Sequence, residues 1–118
     1  MFYTYSQNNS GGGFDYDEAR GITTYVIVEA GDAEEADFRA KRVGLYFDGA
    51  GDCECCGNRW SEAWESAGTV APSIYETPLD AYEREAYFWI KRGFNAFIHH
   101  ASGEIVGALP GPQMGGDA

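Results

Sequence analysis

The densest run of reactive side chains in the chain is Cys53-Glu54-Cys55-Cys56-Gly57-Asn58-Arg59-Trp60. Cys53 and Cys56 have the C-x-x-C-G spacing of a zinc knuckle, in which two thiolates sit on a tight turn and glycine lets backbone amides face the sulfurs. A closed tetrahedral site needs four ligands, and this chain has one such knuckle. Completion would fall to Cys55, which is awkward beside Cys56, to His99 or His100, or to a second subunit's knuckle across a symmetric dimer. Ordinary reduced cysteines in a loop beside Trp60 account for the same residues. A redox pair fits less well, because the helix that normally follows such a pair and lowers its pKa is not evident. All three cysteines lie within four positions, so they build no disulfide framework and point to a reducing, cytosolic setting.

His99 and His100 are the other titratable pair. Neighbours on a strand point to opposite faces, so the two are not expected to serve one site together. No Ser or Asp stands in a recognisable catalytic arrangement with them, and the chain reads as a non-enzyme. Asn8, Asn9 and Ser10 open a glycine loop (Gly11 to Gly13) that lacks the Lys-Ser/Thr of a P-loop and the dinucleotide fingerprint. Such a loop can still cradle an anion through backbone amides. The cations dense enough to hold phosphate beside it are Arg39, Lys41, Arg42, Lys91 and Arg92, of which Arg39, Arg42, Lys91 and Arg92 are taken as ligand candidates. Phe38, Trp60 and Trp64 are taken as interface anchors, since a core this small cannot bury every aromatic.

The elements that must position these residues follow from pattern. Residues 2–6 are strand formers, and residues 22–29 (ITTYVIVE) are β-branched or aromatic almost throughout, as in a central strand. Residues 32–43 form the clearest helix. Asp32 is a good N-cap with Glu35 three residues on, Ala33, Ala36, Ala40 and Val43 make one apolar stripe, and Gly44 supplies the stop. Phe38 lies about 200° around that helix from Ala36 and is expected in solvent. Residues 45–48 (LYFD) read as a short strand completing a β–helix–β unit. Residues 61–67 read as a helical turn or two and residues 78–90 as a helix. Residues 94–100 and 104–109 flank Ala-Ser-Gly as a hairpin. The fold class is therefore α+β: a single small domain over 1–109, with a mixed or antiparallel sheet of about four strands and one or two packed helices. A flexible Gly/Pro tail is expected over 110–118.

With 118 residues the chain is one domain, and 19 Asp+Glu against 8 Lys+Arg give a net charge of −11. That balance excludes a general nucleic-acid binder and a polybasic membrane segment. No apolar run approaches the ~20 residues that span a bilayer, and the N-terminus lacks signal-peptide features. The acidity is uneven: residues 38–47 carry three cations and no acid. A small phosphate-bearing ligand is thus compatible with an acidic chain.

Four blocks, FYTYSQNNSGGGF, ITTYVIVEAGDAEEADFRAKRVGLYFDG, DCECCGNRW and IHHASGEIVG, together resemble a family of small bacteriophage proteins without an assigned activity. The resemblance implies expression in the host bacterial cytoplasm and a stoichiometric role, binding a host protein or a defence signal. The leading expectation is a non-enzymatic phage accessory protein that acts by binding in host takeover or counter-defence, sequestering a small nucleotide-type ligand as a homo-oligomer. Two alternatives stand beside it: an acidic protein that blocks a host nucleic-acid-binding protein, and a zinc-stabilised structural or adaptor module.

Overall fold

The computed structural model describes residues 1–8, 16–49, 57–74, 77–79 and 94–110. Among the described residues, six strands and one α-helix order as β1 (Phe2–Ser6), β2 (Tyr25–Glu29), α1 (Ala33–Val43), β3 (Ser73–Ile74), β4 (Thr77–Pro78), β5 (Phe94–His99) and β6 (Ile105–Pro110). Four of them make a mixed sheet in the order β1-β2-β5-β6, and β3 and β4 form a separate ribbon. β1 and β2 are antiparallel, β2 and β5 parallel, and β5 and β6 an antiparallel hairpin. The α+β expectation holds.

β2 is central because both its faces are apolar. Val26 and Val28 meet Tyr3 and Tyr5 of β1 and the alanine stripe of α1, while Tyr25 and Ile27 meet Ala96, Ile98, Leu109 and Ile74 on the other side. Two cores therefore flank one sheet, one under α1 and one under the β3–β4 ribbon. The Thr4 hydroxyl donates to Ser73 O at 2.6 Å and ties that ribbon to the edge strand β1. α1 begins where Asp32 accepts from Glu35 N–H at 2.8 Å, and Gly44, at φ 135°, ends it. Ala33, Ala36 and Ala40 are buried, so the predicted stripe is the packed one.

Several sequence expectations change. Residues 45–48 are not a strand: Leu45 is buried and Tyr46 and Phe47 pack beside the α1 core. The side chains wrap the end of α1, and the parallel partner of β2 is β5, reached by a much longer crossover. The strand over 22–29 is shorter, because Ile22 turns back to bridge Asp17 and Thr23 and Thr24 bend before Tyr25. Pro78, placed near a helix start, pairs with Ser73 in β4. Leu79 is helical, and the remainder of that helix (80–90) and the tail beyond Pro110 lie outside the described residues. Residues 61–67 contain one short 3-10 turn, Glu65–Ala67. Trp60, taken as an interface anchor, is only 2% exposed and belongs to the α1 core. An indole lends that core more apolar area than the small alanines opposite it can.

Candidate functional site

A cavity of about 490 Å³ opens between one flank of α1 and the end of the β5–β6 hairpin. From α1 it is walled by Glu35, Phe38, Arg39 and Arg42, which recur at i, i+3, i+4 and i+7 and so share one helix face. The sheet side adds Val28 and His99, and the hairpin adds His100 and Ile105. The size falls in the range of small-molecule pockets.

The cations are held differently. Arg39 donates from Nε to Glu35 at 3.1 Å, and the same carboxylate accepts from Gly31 N–H at 2.7 Å. Those two donors, the backbone amide first, hold the Glu35 carboxyl below its ordinary range. Among the described residues no carboxylate pairs with Arg42. Its guanidinium lies 5.8 Å from the centre of the Phe38 ring, which is itself 60% exposed. A planar cation resting on an aromatic face presents its remaining N–H donors outward, an arrangement suited to an anionic oxygen.

His99 is buried, and its Nε2 lies 2.8 Å from Gly21 O. A carbonyl oxygen only accepts, so Nε2 carries the proton and Nδ1 is an acceptor in the neutral ring. Burial pushes the His99 pKa down, with the Gly21 contact opposing it, so the ring stays neutral. Gly21, at φ 74°, allows this approach, since a Cβ there would lie 2.8 Å from the imidazole. His100 contacts Glu29 through Nδ1 at 3.3 Å, and Ala101 N–H donates to the same Glu29 oxygen at 3.0 Å. The Glu29 carboxyl is lowered by the Ala101 amide first and His100 second, a clamp that fixes the hairpin turn to β2.

The family model Domain of unknown function (DUF7296) matches residues 1–115. The chain belongs to this family. No curated protein and no solved structure matches it.

In this DUF7296 chain, two of the sequence-predicted ligand residues, Arg39 and Arg42, come together in the cavity, and Phe38 stands at its wall. Asn8 lies elsewhere. It donates from Nδ2 to Asn58 O at 3.2 Å and from its backbone to Arg59 O at 2.9 Å. Gln7 sits beside Thr24, just before β2, whereas His99 pairs with Val28 near the other end, about 13 Å along the strand. Asn9, Ser10, Lys91, Arg92 and the metal candidates Cys53, Cys55 and Cys56 lie outside the described residues. Segment 58–60, just after the cysteines, and His99, the fourth metal candidate, are anchored toward opposite ends of β2. Among the described residues no group of three or more His, Cys, Asp or Glu is arranged to hold a metal. Trp64 is 77% exposed and away from the cavity wall.

One expectation about the histidines is corrected: His99 and His100 both border the cavity. His99 is the last residue of β5 and His100 opens the turn, so strand alternation stops between them. Glu35, His100 and Ile105 were not read from sequence as ligand-site residues. The signal that would have found Glu35 is the 35-38-39-42 stripe, a second face on the helix with the same period as the alanines. No helix of the described residues is long and apolar enough to cross a membrane.

Proposed function

We propose that this DUF7296 protein is a non-enzymatic binding protein whose ligand is a small anionic molecule of nucleotide type, held in the cavity beside α1. The carrying observation is Arg42, a cation that no described acid neutralises, stacked on the exposed Phe38 ring at the cavity wall. Arg39 supplies a second guanidinium, already oriented by Glu35. The neutral His99 offers an acceptor, which suits a ligand N–H or O–H rather than another phosphate oxygen. Phosphate on the arginines with a ring on Phe38 is the arrangement these groups favour. The phage accessory role, in host takeover or counter-defence within a bacterial cytoplasm, is part of the same reading and rests on the resemblance of the four sequence blocks.

Titration calorimetry of the full chain against a cyclic mononucleotide, a cyclic dinucleotide, ADP-ribose and inorganic phosphate tests this. At least one nucleotide is expected to bind more tightly than phosphate. Arg42→Ala is expected to weaken that binding about 10-fold to 100-fold, the worth of a charge-assisted hydrogen bond. No heat with any of the four, or full affinity in Arg42→Ala, overturns the proposal.

A further inference from the structure

β6 is the last strand of the four-stranded sheet, and no described strand lies beyond it. Its sequence, IVGALP, carries no charge in a chain of net charge −11. Soluble proteins normally guard such an edge with lysine, proline or a bulge. Here Pro110 closes only the far end, and Leu109, at φ 54°, bends the strand beside it. Among the described residues, nothing guards 105–107. Three exposed apolar side chains gather along that segment: Phe94 at 43%, Ile105 at 48% and Val106 at 36%.

The backbone sets a register. His100 N–H donates to Glu104 O at 2.8 Å, so these residues form a hydrogen-bonded pair. Bonding alternates along an antiparallel ladder. Val106 and Ala108 therefore bond inward to Ile98 and Ala96, and Ile105 and Gly107 present N–H and C=O outward. A two-fold axis through Val106 would match Ile105 of one copy with Gly107 of the other, twice, making four hydrogen bonds. Val106 would face its own copy across the axis, at the close spacing of a non-hydrogen-bonded pair. The Phe94 ring occupies the space a side chain on Gly107 would need. Ile105 of the second copy would land on that ring.

We propose that the chain forms a two-fold dimer through antiparallel β6–β6 pairing, giving one continuous eight-stranded sheet. An uncharged edge is where two acidic copies can meet without like charges in contact, and the pairing covers all three exposed apolar side chains at once. The axis is perpendicular to the sheet, so both α1 helices and both cavities lie on one side.

Sedimentation equilibrium of the full chain is expected to show a monomer–dimer equilibrium. Val106→Lys and Val106→Glu, each placing like charges across the axis, are expected to be monomeric, and an equimolar mixture of the two to recover the dimer. In the unmodified chain, hydrogen exchange at the Ile105 and Gly107 amides is expected to slow as concentration rises, a readout that needs no variant. A chain that stays monomeric at every concentration reached overturns the proposal. So does a Val106→Lys dimer as tight as the original, a mixture that stays monomeric, or amide exchange indifferent to concentration.

Discussion

On one flank of α1, Asp37 accepts from the Tyr5 hydroxyl at 2.7 Å and from Ala63 N–H at 2.9 Å, and Trp60 is buried three residues away. On the other flank, one turn along, Arg42 has an aromatic ring beneath it and no described acid beside it. The same helix thus carries a closed polar cluster and an open one. In the closed cluster burial, then the bond to Asp37, drives the Tyr5 pKa far above its ordinary value, so the phenol is a fixed donor. Its hydrogen bonds connect β1, α1 and the segment after Trp60. The open cluster connects nothing, and its unused donors face a cavity. In the closed cluster Asp37 is bonded from both sides within the fold, whereas Arg42 keeps donors that no described acid takes.

The sharpest way to break this contrast is to damage each flank in turn. Trp60→Ala should cost about 3–5 kcal/mol of stability, the usual range for removing a large buried aromatic. Urea denaturation followed by circular dichroism measures it, and a loss under 1 kcal/mol would show that the closed flank is not a packed one. Asp37→Ala should cost about 2 kcal/mol, because it strands two donors in a partly buried place. Asp37→Asn, which keeps an acceptor at the same position, should cost less. Both changes should leave nucleotide affinity as it was. Arg42→Ala should do the reverse, with stability moved by no more than about 0.5 kcal/mol. Equal stability losses from Asp37→Ala and Arg42→Ala would dissolve the distinction.

How legible these flanks were in the sequence depended on whether the signal was local. The helix over 32–43, its cap, its alanine stripe and the solvent position of Phe38 follow from a 3.6-residue period and an N-cap, and the structure keeps them. The hairpin around Ala-Ser-Gly is local as well. What the sequence did not disclose was long-range. The parallel partner of β2 lies some seventy residues downstream, so residues 45–48 were the natural but wrong candidate. Trp60 was misplaced for the same reason: a tryptophan beside a cysteine cluster gives no sign of which core it enters. The cavity was half legible. Arg39 and Arg42 stood out as cations in an acidic chain, but the hairpin that walls them in comes from residues 99–105, and only tertiary folding brings it there.

The smallest expected effect joins the two regions through pH. His99, Glu29 and Glu35 are all held below their ordinary pKa values, and all lie on the cavity side or at its hairpin. In each case the folded chain binds fewer protons than the unfolded one, so stability rises with pH through the window between the two pKa values. The His99 contribution is complete above its ordinary value of 6.5 and is lost as pH falls toward its lowered folded value. The two glutamates add to the loss only below their ordinary value of 4.5. Thermal unfolding between pH 8 and pH 4 should therefore show a flat upper limb, a first decline below about pH 6.5 and a steeper one in acid. Glu29→Gln keeps an acceptor for Ala101 N–H while removing the titration, and should flatten the acid limb without moving the first decline. Arg42→Ala, acting on the same flank, should leave the position of both declines unchanged. If the first decline persists unaltered in His99→Gln, the open flank does not depend on a neutral imidazole, and the acceptor assigned to His99 in the cavity falls with it.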